Sequence, residues 1–184
     1  MARAERKVVS ENVRMKLETL IDANILILRQ GVVLLDEISD ADYSRTIEPL
    51  FGFGLGYHFR HLLDSYDCFF RGRADGQIDY DRRARDVRVA LDREYARTRI
   101  ESVIADLTDL PAGEMDRAID VRQDSHFHAR SSIPRELQFL LSHTVHHYAL
   151  MAMMARLLGV EIDDHFGVAP STLEYWQSGT GPGD

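Results

Sequence analysis

Apolar positions recur through the first part of the chain at Val13, Leu17, Leu20, Ile21, Ile25, Leu28, Val32 and Leu35. Steps of three and four residues put such a set on one face of a helix, so the pattern predicts a helix over about residues 10–37. Ser39-Asp40-Ala41-Asp42-Tyr43 ends it. A second helix is predicted from about Leu55 to Arg71. A third runs from about Asp86 to Leu107, on Val89, Leu91, Ile100, Val103, Ile104 and Leu107, and Pro111-Ala112-Gly113 stops it. A fourth runs from about Pro134 to Leu158. Ser132 offers its N-cap, Pro134 suits its first turn and Gly159 follows its end. Ser171-Thr172-Leu173-Glu174 has the form of a capping box for a short last helix.

Between these segments the pattern changes. Residues 72–86 are polar and read as a loop. Residues 117–133 alternate apolar and polar around Gln123-Asp124-Ser125, which predicts a short β-hairpin or an extended crossover. Phe51-Gly52-Phe53-Gly54-Leu55-Gly56 matches neither G-x-G-x-x-G nor a P-loop, and reads as a flexible entry to the second helix. The expected architecture is all-α: a four-helix bundle with a long crossover connection and a minor β-hairpin between the third and fourth helices. Residues 1–176 are expected to form a single domain and residues 177–184 a flexible tail.

Composition narrows the function classes. Of 184 residues, 45% are apolar, which argues against disorder. Lys and Arg number 22 against 30 Asp and Glu, a formal charge of −8. That balance speaks against nucleic acid as a partner, because nonspecific binding rests on clustered cations. The basic run Arg82-Arg83-Ala84-Arg85 is interleaved with aspartates and reads as a solvated helix entry. Apolar runs such as Ile25-Leu26-Ile27-Leu28 are too short to span a membrane. A lone Cys68 and a charged N-terminus without an apolar leader fit a cytoplasmic location.

The histidines change the picture most. Ser142-His143-Thr144-Val145-His146-His147-Tyr148 holds three of the eight in the chain. In the fourth helix, Leu140, His143, His147, Leu150, Met154 and Leu157 step by three and four, so His143 and His147 interrupt an apolar seam. An i, i+4 pair presents both imidazoles on one face, the spacing by which one helix offers two nitrogens to a metal ion. Thr144 stands where H-E-x-x-H has glutamate, which excludes a zincin protease. A further ligand must come from a facing helix. The second helix offers His58 and His61, and periodicity alone does not choose between them. His126, His128 and His165 lie in polar settings and read as surface residues. Cys68 falls on a helical face like that of His61, but a buried free cysteine is most often core. Asn24 lies near the first apolar stripe, as a boundary residue or as a polar group facing an internal site. Asp64, one turn after His61, is a candidate acceptor for a ligating ring, and Tyr57 and Tyr148 flank the histidines as packing or rim residues.

Two blocks, L-G-Y-H-F-R-H-L-L-D-S-Y (55–66) and R-E-L-Q-F-L-L-S-H-T-V-H-H-Y-A-L-M (135–151), resemble the DinB/YfiT-like superfamily. The closing F-G-V-A-P-S-T-L-E-Y (166–175) resembles one bacterial branch of it, and the resemblance spans about residues 15–176. It implies a four-helix bundle with a long second-to-third connection and a divalent metal held by three histidines. On this chain these are His143, His147 and His61, the last because a short apolar run, Leu62-Leu63, follows it; His58 and His146 are the rivals. The implied cofactor is a divalent metal ion, with zinc, nickel and iron(II) all suited to imidazole. Better understood relatives are thiol-dependent transferases and isomerases, and some are dimers. The implied function is therefore a metal-dependent transferase or hydrolase acting on a small-molecule thiol or another small substrate, in a chain that forms a homodimer. The alternative is a non-catalytic metal-binding or stress-associated bundle.

Overall fold

A computed structural model describes residues 2–48, 50, 52–114, 117–124 and 126–178, with side chains from residue 19 onward except at 112, 174 and 177. The predicted Val13 and Leu17 positions, Ser125 of the turn, the Glu174 half of the capping box and residues 179–184 of the tail lie outside the described side chains or residues. In chain order the elements are α1 (Ala2–Glu37), α2 (Asp40–Ser44), α3 (Leu55–Asp75), β1 (Gln77–Asp79), α4 (Val87–Leu91), α5 (Arg93–Thr108), β2 (Ala118–Gln123), β3 (Phe127–Ser132), α6 (Ile133–Leu157) and α7 (Pro170–Gln177). Helix α1 packs on α5 and α6, and α3 packs on the same two, which closes a four-helix bundle. Among the described residues no helix is long and apolar enough to cross a membrane.

Three local features depart from the expected elements. The third predicted helix is two helices. Asp92 takes an extended conformation (φ −121°, ψ 106°) and its side chain accepts from the Tyr95 amide, so the chain stops and restarts there. Ser39 does not merely end α1: its hydroxyl accepts from the Asp42 amide and caps the short α2. Helix α7 opens at Pro170, with the Ala169 carbonyl accepting from Thr172 and Leu173, rather than on a Ser171 cap.

The expected hairpin is present as β2 and β3, paired antiparallel from Ala118–Ser132 to Gln123–Phe127. It carries a third strand that the sequence reading assigned to a loop: β1 pairs parallel with β2, Gln77 opposite Asp120 and Asp79 opposite Arg122. The glycines before and within α3 serve close packing rather than freedom. A Cβ at Gly54 would collide with the Ser44 and Arg45 backbone, and one at Gly56 with the Ala90 carbonyl and the Tyr43 ring.

Leu28, Leu35, Phe59, Leu62, Phe69, Ile100, Leu140 and Met151 fill the core. The buried line of α6 is rotated from the predicted seam. It passes through Leu137, Leu140, Thr144, Tyr148, Met151 and Ala155; of the predicted seam Leu140 and Met154 are buried, whereas Leu157 is 56% exposed. His143 and His147 therefore flank the core instead of interrupting it, and are half-buried. Asn24 is a cross-link rather than a boundary residue. Its Nδ2 donates to the Leu20 (2.8 Å) and Leu137 (3.1 Å) carbonyls, and its Oδ1 accepts from the Tyr66 hydroxyl at 2.8 Å. The Tyr66 oxygen also lies 3.3 Å from the Thr144 hydroxyl, so α1, α3 and α6 share one buried polar network.

Tyr148 is core, not rim, stacked on Phe166 with its hydroxyl wedged against Gly31. That hydroxyl is buried and has no hydrogen-bond partner among the described residues. Removing an unmet buried group relieves its desolvation cost, so Tyr148→Phe should stabilise the fold by about 1 kcal/mol in urea denaturation. A loss of similar size would mean that the hydroxyl has an acceptor after all.

Candidate metal centre

Helix α3 carries His58 and His61 one turn apart, and α6 carries His143 and His147 one turn apart. Packing of α3 on α6 turns the two pairs toward each other. His61 Nε2 lies 3.1 Å from His143 Nε2, and His147 Nε2 lies 3.1 Å from the same atom. One ligand atom from each of the three rings falls within 4.8 Å of the other two, and among the described residues no cysteine or carboxylate joins them. A tetrahedral ion with bonds of about 2.0–2.1 Å sets its nitrogens roughly 3.3 Å apart, so the spacing suits one ion.

Hydrogen bonding alone satisfies the arrangement poorly. A neutral ring nitrogen either donates once or accepts at one lone pair, and His143 Nε2 faces two partners at once. An ion taking all three lone pairs removes the conflict. The other nitrogen of His147 has a partner suited to that state: its Nδ1 is 3.0 Å from His58 Nδ1. Were His147 to ligate through Nε2, His58 would accept its Nδ1–H and fix its tautomer. The Phe139 ring stacks on His143, with an interplanar angle of 10° and centroids 5.5 Å apart, and holds that imidazole's plane.

All four rings are held toward the neutral form that can ligate. Burial, reinforced by His61, His146 and Arg83, lowers His143 to about 4. Burial, reinforced by His143, His61, His58 and His146, lowers His147 to about 3. His58 is lowered by burial and His146, and His61 by burial, Arg83, His58 and Arg60. These shifts have a definite sign in stability. Below the ordinary value of 6.5 an unfolded chain takes up protons that the folded, metal-free site refuses. The metal-free protein should therefore lose stability as pH falls from 6.5 toward 4 and 3, with no such loss above 6.5. Urea midpoints over that range should fall less steeply in His147→Gln; an unchanged slope would remove His147 from the account.

The other candidates sort clearly. His146 is exposed, and its ring centroid is 5.2 Å from that of His147, but it is not among the three convergent rings. His126, His128 and His165 are exposed, as expected, and His165 Nδ1 lies 3.2 Å from Asp163. Asp64 is not seen to accept from His61. It is buried and accepts from the Arg85 amide at 2.9 Å, fixing the loop after β1. Tyr57 is half-buried, with the Arg60 guanidinium 5.1 Å from its ring centroid. Cys68 is core: its thiol points to the Arg82 carbonyl at 3.7 Å, and burial pushes its pKa up, the opposite of an activated thiolate.

Two participants had no reading as such in the sequence. Arg83, placed among solvated charges, lies half-buried with Nη1 3.1 Å from His61 Nδ1. Glu136, 2% exposed, accepts from the Tyr80 and Ser131 hydroxyls and anchors the N-terminal turn of α6 to the sheet edge.

The sequence profile of the DinB superfamily matches residues 31–151, which include all three convergent histidines. The chain belongs to the DinB superfamily. A curated protein, FK506-binding protein 5 of Rhizopus delemar, is 31% identical to it over 104 residues. That stretch is 53% of this chain and 27% of the fungal protein, so the DinB-superfamily chain spans about a quarter of that relative's length. No solved structure matches it.

Proposed function

We propose that His61, His143 and His147 hold a divalent transition metal and that this DinB-superfamily chain is a metal-dependent enzyme of the thiol-transferase or hydrolase type. The observation that carries the reading is the convergence of three half-buried Nε2 atoms on one point. Held by three neutral imidazoles, such an ion keeps its full charge and supplies Lewis acidity to a thiol or water at an open position. The chain's own part is to set the donors and keep them deprotonated. His58 orients His147, Phe139 orients His143, and burial keeps the rings neutral at pH 7. Zinc, nickel and iron(II) all suit an imidazole set.

The test has two stages. Elemental analysis of untagged protein offered zinc or nickel should give about one ion per chain. A screen of small thiols with electrophilic acceptors, and of ester and amide substrates, should then give turnover that His143→Ala abolishes. Metal uptake without turnover would leave a binding protein. Turnover undiminished in His143→Ala would place the chemistry elsewhere.

A further inference from the structure

A cleft of about 330 Å³ opens between the C-terminal half of α1 and the segment that runs from Ile162 to Leu173. It shares no residue with the histidine centre. Val33 and Leu34 form its floor, and Ile162, Phe166 and Leu173 its other wall. Val33 is 52% exposed, although Leu34 beside it is buried. The size falls within the range of small-molecule sites, which are concave, mostly apolar and carry a few placed polar groups.

The walls are fixed before anything enters. The Gly167 amide donates to Gln30 Oε1 at 2.9 Å, which ties the segment to α1. Gly167 has a φ of 74°, and a Cβ there would collide with the Tyr148 and Ala149 backbone, so the segment lies directly on α6. Phe166 stacks on Tyr148 with ring centroids 4.9 Å apart. The Asp163 carbonyl accepts from the Phe166 amide and the His165 carbonyl from the Val168 amide, which closes the turns between. A preformed wall spares a ligand the cost of ordering it.

The charge at the rim has one sign. Glu37 and Asp163 border the cleft, and among the described residues no lysine or arginine does. His165, also on the rim, sets its Nδ1 3.2 Å from Asp163. The cations that α5 brings to the end of α1 are engaged, Arg93 with Asp40 and Arg97 with Asp36. Glu37 is left exposed, its carboxylate without a hydrogen bond or ion pair among the described residues. An apolar floor beside a free carboxylate complements a molecule with an apolar body and a positive end, and repels one with a negative end.

We infer that this cleft is a second binding site, for a small apolar molecule with one cationic group, whose body lies on Val33, Ile162, Phe166 and Leu173 and whose cation faces Glu37. The inference does not rest on the proposed metal centre and stands or falls apart from it.

Titration with n-octylammonium, 1-octanol and octanoate, followed by NMR of the methyl groups, tests it. The three probes share one alkyl chain and differ in charge. At low ionic strength octylammonium should shift the methyls of Val33, Ile162 and Leu173. It should bind about threefold tighter than octanol, the size of an exposed ion pair, and octanoate should bind most weakly. High salt should shrink the preference. Glu37→Gln should remove the preference and keep octanol binding, and Glu37→Lys should turn it toward octanoate. Position 37 is exposed, so both variants should keep the fold. Chelator-treated protein and His143→Ala should bind octylammonium as the wild type does; loss in either would put the ammonium at the histidines and overturn the inference. Equal affinity for the three probes, or a full preference in Glu37→Gln, would also overturn it. So would a dimer in sedimentation that Val33→Glu dissociates, with no response to octylammonium, since the cleft would then belong to a second copy of the chain.

Discussion

His143→Ala should strip the protein of metal, from about one ion per chain to less than about a tenth, because two nitrogens do not hold a three-donor ion. His143 is chosen because its Nε2 is the atom common to both 3.1 Å contacts. His61→Ala and His147→Ala should follow it. His58→Ala tests a different role. It leaves all three donors but removes the acceptor 3.0 Å from His147 Nδ1, and should weaken affinity by about 10–100-fold. His146→Ala should leave metal content unchanged, since that ring is exposed and outside the convergent set. Chelation should lower the melting temperature of the wild type but not of His143→Ala, because an ion bound only by the folded state stabilises it by mass action. Mass spectrometry of the intact protein and calorimetric melting read both effects. Retention of the ion in His143→Ala, with loss in His146→Ala, would mean that α6 presents a different face.

Phe59→Ala should cost about 3–5 kcal/mol, the largest loss expected from one substitution. Phe59 lies between His58 and Arg60 in sequence but on the opposite side of α3, fully buried. Its ring is 6.0 Å from that of Tyr43 and 6.1 Å from that of Tyr148, and it packs against Gly31. Truncation opens a cavity where α1, α2, α3 and α6 meet, and the glycine offers no side chain to fill it. His61→Ala in metal-free protein, one turn away and half-buried, should cost far less. Urea denaturation of both variants without metal checks the contrast. Near-equal losses would mean that the histidine face is packed as tightly as the core.

Much of this was legible in the sequence because helical periodicity is a strong signal over long segments. The segment predicted over 55–71 runs to Asp75, and the one over 134–158 is Ile133–Leu157. The i, i+4 histidines of α6 and the rival pair on α3 were also visible, but which α3 ring converges depends on how two helices pack, and spacing on one helix does not carry that. The structure brings His61 within 3.1 Å of His143 and sets His58 3.0 Å from the other nitrogen of His147. Periodicity places the α6 seam about one position away because it joins the buried Leu140 and Met154 through His143, His147 and Leu150. The true line uses Thr144 and Tyr148, whose polar atoms are accommodated by the Asn24–Tyr66 network and the space over Gly31. Strand β1 is three residues long, too short to show alternation. Arg83 could not be found from pattern at all: a basic residue among aspartates looks solvated until the fold brings a histidine against it.

The parallel pairing of β1 with β2 has a consequence for how the molecule assembles. Gln77 and Asp120 become neighbours only after the chain has passed through α4 and α5, so this pairing closes a long loop. The segment bearing Arg83 leaves directly from β1, and its backbone is tied back to α3 through Asp64. Gathering the imidazoles closes a longer loop still, since His61 and His143 stand 82 residues apart, so the ribbon with Arg83 behind it can form before α3 docks on α6. During refolding, protection of the β1–β2 amides should precede recovery of ion uptake, and uptake should slow when the β1–β2 seam is weakened.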